Sequence, residues 1–325
     1  MLAFVVRRLL QAVLVMLAVA LIAFAMFRFV GDPVNSMLPE NATTEDRRAL
    51  RAQLGLDAPI PIQFQRFVRG AVEGDFGISY RNKRRFSDLI AERLPATLEL
   101  VAAAAVFALL LGVPMGVYTA LNPRGFVSNL LQVVSLIGIS VPTFVTGILL
   151  ILVFSIWLNL LPSFGRGEVV QLGWWSTGLL TASGLKSLVL PSVMLGLFQV
   201  TLIMRLVRAE MLEVLRTDFI RFARARGLPD RAVHFAHALR NTLMPVITIT
   251  GLQLGSMIAF AIITETVFQW PGMGLLFIHA VNFADIPVMS AYLVLVALIF
   301  VVINMTVDLL YFVVDPRLSV SGERA

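Results

Sequence analysis

The sequence predicts an all-α protein that crosses a membrane six times, with a long polar loop after the first crossing. The 325-residue chain is 58% apolar and its mean hydropathy is +0.86. Only 14% of its residues are charged, against roughly 25% in a typical soluble domain. Apolar residues also recur in six long runs. A soluble globule of this composition would expose large apolar patches, whereas lipid would cover them.

Each spanning helix needs about 20 mostly apolar residues, because hydrocarbon cannot satisfy free backbone groups. The first run, residues 9–30, follows Arg7 and Arg8 as a signal peptide would. It is longer than the apolar core of a signal peptide, so we expect it to remain as a helix. The chain, 1–325, is predicted to form a single transmembrane domain. The remaining predicted spans are residues 97–121, 130–158, 188–207, 243–268 and 288–314.

The charged residues predict the orientation of the chain. Six spans place both termini on one side, and Arg7 and Arg8 mark that side as cytoplasmic. Residues 208–242 are arginine-rich and then also lie inside. Residues 31–96 form an external loop that is too long to obey the positive-inside rule, and we expect short helices within it. Residues 172–185, which include Trp174 and Trp175, are predicted to lie at the membrane interface. The formal charge of +6 is attributed to orientation signals and anionic lipid rather than to nucleic acid.

Several kinds of catalytic or metal site are not supported by the sequence. Cysteine is absent, which excludes disulfides and thiolate metal ligands. His234 and His237 share one helix face but have no obvious third ligand, so no metal is expected there. The chain contains no G-x4-G-K-[ST], H-E-x-x-H or G-x-S-x-G pattern. We therefore expect it neither to hydrolyse ATP nor to act as an intramembrane hydrolase.

The most informative segment lies between the fourth and fifth predicted spans. Two short helical patterns flank Gly227-Leu228-Pro229-Asp230. Gly227 can close the first helix because glycine tolerates positive φ, and Asp230 can cap the second. The segment therefore predicts a helix–turn–helix at the membrane surface, basic on one side.

This segment resembles the "EAA" loop of ABC importer permeases, whose pattern is E-A-A-x3-G-x9-I-x-L-P. Ala223, Gly227 and Leu239 match that pattern, whereas Arg221 stands at its glutamate and Arg240 at its proline. The sequence A-R-A-R-G-L, followed by H-A-L-R-N-x-L-x-P, resembles the dipeptide/oligopeptide/nickel permeases. The departures from the general pattern at Arg221 and Arg240 are consistent with this subfamily. Further stretches fit the same subfamily along nearly the whole chain: Gly31-Asp32-Pro33-Val34, Leu54-Gly55-Leu56-Asp57, Gly74-Asp75-Phe76-Gly77, Ser140-Val141-Pro142-Thr143-Phe144 and Pro271-Gly272-Met273-Gly274.

The resemblance implies a type I ABC importer permease in the bacterial inner membrane that moves peptides or similar small solutes and is not itself an enzyme. Such a permease forms half of the translocation pathway with a second permease subunit. ATP and Mg²⁺ are used by separate ATPase subunits, and an external binding protein delivers the substrate. The resemblance places the ATPase contact in residues 208–242. The contact residues that it implies are Arg221, Ala223, Arg224, Gly227, Leu228 and Asp230.

Polar groups within the spans are candidates for the pathway, because they are costly to place in lipid. The ionisable ones are Glu99, Glu265 and Asp308, each with a packing hydrogen bond as the alternative. An ion-driven secondary transporter remains an alternative class, although the acids look isolated and no inverted repeat is evident. The neutral pathway candidates are Gln199, Gln253, Ser256 and Asn304.

Two glycine pairs lie within predicted spans. Gly112 and Gly116 form one pair, and Gly251 and Gly255 form the other. Small residues at this spacing allow helices to approach closely. We expect packing within the subunit, with the interface to a second subunit as the alternative.

Overall fold

The computed structural model describes residues 2–29, 34, 38, 43–53 and 56–314, which are predominantly helical. Some positions in the motifs above lie outside these residues, namely Gly31, Asp32, Pro33, Leu54 and Gly55. In chain order, the helices are α1 (Leu2–Phe29), α2 (Thr44–Gln53), α3 (Ile60–Glu73), α4 (Phe86–Leu121), α5 (Phe126–Ser140), α6 (Thr143–Leu150), α7 (Ala182–Val214), α8 (Asp218–Ala225), α9 (Leu239–Val267), α10 (Met273–Asn282) and α11 (Ile286–Val314). Two π-helical stretches, Ile151–Trp157 and Ala232–Ala238, follow α6 and precede α9.

Five helices in the described part of the chain are long and apolar enough to cross a membrane. They overlap the predicted first, second, fourth, fifth and sixth spans, so the all-helical, multi-pass fold class is confirmed. Their bounds as apolar helices are Val6–Met26, Phe86–Leu121, Ala182–Val214, Ala232–Val267 and Ile286–Val307.

The predicted third span, residues 130–158, is wrong as one continuous helix. The chain breaks at Val141-Pro142, between α5 and α6, and Pro142 adopts φ −54° and ψ 135°. Proline has no N–H to continue a helix, and it also pushes the preceding residue away from the helical region. Each of the two pieces is shorter than a full span. The count of six crossings therefore stays a prediction.

The spanning helices extend into both predicted loops. Helix α4 begins at Phe86, so residues 86–96 belong to a helix rather than to the loop 31–96. Similarly, α7 continues to Val214, and the helical backbone resumes at Asp230. Hydropathy marks where hydrocarbon ends, but a helix continues through polar residues until a cap stops it. The remaining turn between α7 and the next helices is correspondingly compact.

The loop after α1 contains the two short helices α2 and α3, as predicted. Thr43 and Asp46 cap α2 reciprocally. The Thr43 hydroxyl accepts the Asp46 N–H at 3.1 Å, and the Asp46 carboxylate accepts the Thr43 O–H at 2.6 Å and N–H at 3.1 Å. These hydrogen bonds hold the pKa of Asp46 below its ordinary value. Helix α3 packs on α1 through Phe24, which lies 5.4 Å from Phe64 between ring centroids.

The tryptophan-containing segment forms a small hairpin. Strands β1 (Val170–Leu172) and β2 (Trp175–Thr177) pair, and the Trp174 and Trp175 rings meet edge to face at 5.4 Å. Trp174 is mostly exposed. An interfacial position for this hairpin stays a prediction.

The described residues group into two compact units. Unit 1 comprises Met1–Thr97, Gln171–Thr177 and Pro271–Val302. Unit 2 comprises Leu98–Val170, Gly178–Trp270 and Ile303–Ala325. The expectation of a single domain stays a prediction. Each unit has its own apolar core, built in unit 1 around Phe86, Leu89, Val288 and Met289 and in unit 2 around Val200, Val207, Ile220 and Val233.

Within unit 2, Glu99 and Arg166 form a buried ion pair. The Arg166 guanidinium lies 2.6 Å from the Glu99 carboxylate, which also accepts the Gly178 N–H at 3.3 Å. Glu99 is therefore not an isolated acid. This ion pair links the segment that follows the π-helical stretch Ile151–Trp157 to the start of the second span.

Glycines bring α4 close to α7. A Cβ at Gly112 would lie 2.9 Å from Ile203, and one at Gly116 would lie 2.6 Å from Val207 and 2.8 Å from the Met204 carbonyl oxygen. Gly251 approaches Val307 in the same way. These three glycines therefore serve packing within the subunit, as predicted.

We expect Gly116→Ala to lower the free energy of unfolding by about 1–3 kcal/mol, the usual cost of overpacking. The added methyl group would meet a backbone carbonyl that cannot swing aside. Denaturant unfolding of the purified chain in detergent would measure the effect. Gly125→Ala is the matched control, because its nearest contact would be an ordinary 3.4 Å. Equal unfolding of the two variants would contradict the prediction.

Candidate functional site

A cavity of about 250 Å³ lies in unit 2 between the α5–α6 break, α7 and α9. Its wall is mostly apolar and includes Met194, Phe198, Met257 and Phe260. Flexible thioethers adapt to differently shaped contacts, so this wall suits varied apolar groups. Three polar residues also line the cavity, namely Thr143, Gln199 and Thr264.

Gln199 is the most informative polar residue in this wall. Its side chain is only 4% exposed, and its Oε1 atom has no hydrogen-bond donor within the described residues. Leaving a buried acceptor without a donor costs about 1–3 kcal/mol. The described residues therefore leave this acceptor open, and a pathway role for Gln199 stays a prediction.

The helix break adds backbone polarity beside the cavity. The last carbonyls of α5 have no helical donors, because every helix end leaves such groups and Pro142 has no N–H. Further back in α5, the Ser135 carbonyl accepts a hydrogen bond from the Thr201 hydroxyl at 3.2 Å, which ties α7 to α5. Irregular backbone at membrane depth is tolerated where protein buries it or where it lines a cavity. The break thus fits the wall of a solute path.

Chemically, this cavity offers hydrogen bonds and apolar contacts to a solute. Its lining contains amide, hydroxyl, thioether and aromatic groups, without a nucleophile–base pair. No group of three or more His, Cys, Asp or Glu side chains able to hold a metal occurs in the described part of the chain.

The other predicted pathway residues are placed differently from Gln199. Ser256 donates to the Gln253 side chain at 3.1 Å, so these two residues bond to each other. Glu265 is completely buried, and Asn304 has a buried Oδ1 without a hydrogen-bond partner in the described residues. Asp308 lies in α11, but its side chain is outside the described part. A pathway role for all of these stays a prediction.

The predicted helix–turn–helix is present in unit 2. Helix α8 buries Ile220 and Ala223 in the same core as Val233, and Gly227 ends it with φ +77°. The role of Gly227 in closing the helix is confirmed. A Cβ at Gly227 would meet nothing within 4 Å, so the glycine is needed for its backbone conformation alone.

The cap predicted at Asp230 is not observed. The helical backbone already includes Asp230, and the Pro229 carbonyl accepts the N–H groups of Ala232 and Val233 at 2.9 and 3.1 Å. Pro229 therefore stands at the cap position. Asp230 lies in the first turn, where a carboxylate is favourable to the helix dipole.

The exposed face of α8 carries aromatic residues that the sequence reading missed. Phe222 is 65% exposed and Phe219 is 43% exposed, whereas Ala223 is only 6% exposed and contacts its own chain. Arg226 lies 5.8 Å from the Phe222 ring, and Arg221 bonds to Asp218 at 3.1 Å. Exposed aromatics with arginines are typical of the centre of a protein interface. The i, i+3 spacing of the two phenylalanines was the available signal.

The long apolar helices define a multi-pass membrane protein, with a cavity between α7 and α9. Residues 112–320 match the family described as the binding-protein-dependent transport system inner membrane component. Residues 1–101 match the N-terminal family of the same membrane components. The chain belongs to the binding-protein-dependent transport system inner membrane component family.

Curated relatives align along almost the whole chain. The dipeptide transport system permease protein DppB of Alkalihalophilus pseudofirmus is 36% identical over 332 residues, covering 98% of this chain and 100% of the relative. DppB of Escherichia coli K12 is 36% identical, with 98% and 99% covered. The di/tripeptide transport system permease protein DppB of Pseudomonas aeruginosa is 37% identical, again with 98% and 99% covered.

A solved structure shows the same fold. The inward-facing MetNI methionine ABC transporter contains a chain that matches with a TM-score of 0.54 and 18% identity, covering 70% of this chain and 96% of the other. The chain described here is therefore the permease subunit of an ABC importer and a multi-pass inner-membrane protein. Membership of this family replaces the ion-driven secondary transporter considered above.

Proposed function

We propose that this permease imports peptides, and that it forms half of a translocation pathway with a second permease subunit. The observation that carries the substrate class is the similarity to dipeptide and di/tripeptide permeases over nearly the full chain. The cavity chemistry agrees with this class, because peptides combine amide groups with varied side chains. Gln199 and Thr264 would meet the amides, and the methionines would meet the side chains.

Both termini are assigned to the cytoplasm, following Arg7 and Arg8. In this arrangement α5, α6 and the π-helical stretch Ile151–Trp157 together make the third of six crossings. The Val141-Pro142 break then falls within the membrane, where it faces the cavity. An external binding protein delivers the peptide to the side where α2 and α3 lie.

Coupling to ATP is assigned to α8 and the turn that follows it. Separate ATPase subunits bind ATP and Mg²⁺, and this chain supplies the element that they move. Phe222, with Arg221 and Arg224, forms the contact face, and Leu228 and Asp230 border it on the turn. Ala223 and Gly227 hold this face in place, one by packing and the other by its backbone conformation.

Co-purification tests the coupling assignment at Gly227. The importer would be solubilised from cells expressing all subunits, and the ATPase recovered with a tagged permease would be quantified. We expect Gly227→Asn to retain the ATPase, because asparagine tolerates positive φ. Gly227→Val should lose most of it, because a β-branched residue at φ +77° is a strong outlier that would reshape the turn.

The two variants differ in how well each residue tolerates a positive φ. Neither side chain is expected to clash, since the space around Gly227 is open. Equal ATPase recovery for Asn and Val would contradict the assignment. A wild-type permease that purifies alone and still transports peptide under an ion gradient would overturn the proposed function altogether.

A further inference from the structure

A tight basic turn in unit 1 has no part in the coupling or the cavity. Ile78 and Arg85 form an antiparallel bridge, and Ser79 donates its N–H to the Arg84 carbonyl at 3.0 Å. Lys83 sits at the tip with φ +54° and donates its N–H back to the Ser79 carbonyl at 3.0 Å. The chain is thus folded into a defined hairpin rather than a loose loop.

Asp285 holds this hairpin from the loop between α10 and α11. Its carboxylate is 1% exposed and accepts the Ser79 hydroxyl, the Tyr80 N–H at 3.1 Å and the Arg81 N–H at 3.4 Å. All three donors are uncharged, so the guanidinium of Arg81 is not consumed by Asp285. It lies instead over the Phe283 ring, 3.4 Å from the centroid. Stacking fixes where this cation points.

Beside the hairpin lies a cavity of about 120 Å³. Arg81, Asn82, Arg93 and His279 contribute its nitrogen-bearing side chains, while Leu275 and Val288 form part of its apolar floor. Among the described carboxylates, only Asp285 reaches this wall, and its oxygens already face the hairpin donors. Hydrogen-bond donors therefore dominate the opening.

Arg93 is only partly paired. It reaches Glu92 at 3.4 Å, but Glu92 is shared with Arg84, which lies closer at 2.9 Å. The buried Nε of Arg93 has no acceptor among the residues that the structure describes. A buried guanidinium nitrogen without an acceptor is costly and would be satisfied by an incoming anion.

The surrounding charge favours an anion as well. Residues 81–93 carry Arg81, Lys83, Arg84, Arg85 and Arg93 against Asp88 and Glu92. Such an excess of fixed cations around a concave site concentrates anions at its mouth.

We propose that this cavity receives an aspartate or glutamate side chain of the soluble binding protein when that protein docks on the importer. The proposal rests on the proposed function, which supplies such a partner. The size of the cavity argues for a single side chain, because sites for whole small-molecule ligands usually measure about 300–1,000 Å³. Arg81 and Arg93 would hold the carboxylate, with Asn82 and His279 as further donors.

Binding of the importer's own purified binding protein to the complete importer in nanodiscs tests this docking pocket. We expect the double variant Arg81→Gln, Arg93→Gln to weaken Kd by about tenfold or more at 0.15 M salt, which corresponds to the low end of the effects measured for close interfacial charge pairs. The difference should shrink at 0.5 M salt, because salt screens the attraction.

Arg69→Gln is the matched control. Arg69 belongs to the same loop and pairs with Glu73 at 2.9 Å, yet it does not line the pocket. It loses one positive charge from the same loop, against two in the double variant, and should leave Kd unchanged. His279→Glu is a second test, because the His279 side chain forms no hydrogen bond or ion pair among the described residues. It places a carboxylate in the pocket and should weaken docking by a similar factor.

The absence of cysteine allows the partner to be identified directly. An Asn82→Cys variant carrying a photo-crosslinker should attach to the binding protein next to an aspartate or glutamate, and Arg69→Cys should not. Crosslinking to lipid or to peptide alone would overturn the proposal, as would unchanged Kd in both pocket variants. Loss of the ATPase from the wild-type complex would instead count against the proposed function.

Discussion

Phe222→Ala is expected to weaken binding of the ATPase to this permease by roughly 30-fold or more, the effect of removing an interface hot spot of about 2 kcal/mol. Phe222 is 65% exposed on α8, so its removal leaves the permease core intact. Binding of purified ATPase to the permease complex in nanodiscs would measure the loss. Peptide uptake should fall in proportion, since ATP-driven motion enters through this face.

Two control substitutions separate contact from folding. Phe126→Ala removes a ring that is 82% exposed but lies outside the coupling segment, and it should leave ATPase binding unchanged. Ile220→Ala removes a fully buried side chain from the opposite face of α8 and should lower the free energy of unfolding by about 2–5 kcal/mol. If Phe222→Ala bound the ATPase like wild type, the aromatic contact face would be wrong.

Gln199→Leu is expected to lower peptide transport roughly tenfold while leaving the permease as stable as wild type or more stable. The transport loss follows from removing a hydrogen-bonding group from the cavity, worth about 1–1.5 kcal/mol to a solute. The free energy of unfolding should not fall, because Oε1 of Gln199 has no hydrogen-bond donor in the described residues. Leucine has no polar atom, so it removes the cost of burying an unsatisfied acceptor. Uptake into liposomes containing the whole importer and denaturant unfolding would be measured in parallel.

Thr201→Val is the matched control on the same helix. Thr201 donates to the Ser135 carbonyl at 3.2 Å, so its loss should destabilise the fold by about 1 kcal/mol without changing transport per folded molecule. The opposite pattern, with Gln199→Leu unstable but fully active, would make Gln199 a packing residue.

The sequence predicted the structure correctly where a residue type has a single well-defined physical role. Gly227 was predicted to close a helix because positive φ favours glycine, and it has φ +77°. The spacing of Gly112 and Gly116 predicted close helix packing, which the approach of Ile203 and Val207 bears out. The long apolar runs likewise marked five spanning helices, since hydrocarbon imposes their length.

It failed where hydropathy does not report a break in a helix, and where the outcome depends on neighbours far along the chain. Residues 130–158 were predicted as one span, because Pro142 ends a helix without making the run less apolar. Phe222 reads like any core phenylalanine, because only the packing of Ile220 and Ala223 decides which side of α8 faces outward. The buried Glu99 looked isolated, because its partner Arg166 lies 67 positions away.

The π-helical stretch Ala232–Ala238 leads without a break into α9. A π-helical turn holds roughly one residue more than an α-helical turn, so it acts as an insertion retained inside a helix. Removing one residue there would let the seven-residue stretch revert to six α-helical residues. Seven π-helical residues at about 85° each turn through nearly the same angle as six α-helical residues at about 100° each. Thr264, some seven turns further on, would therefore still face the cavity. A single-residue deletion in this stretch should thus be tolerated far better than one within α9, which would rotate the helix beyond it by about 100°.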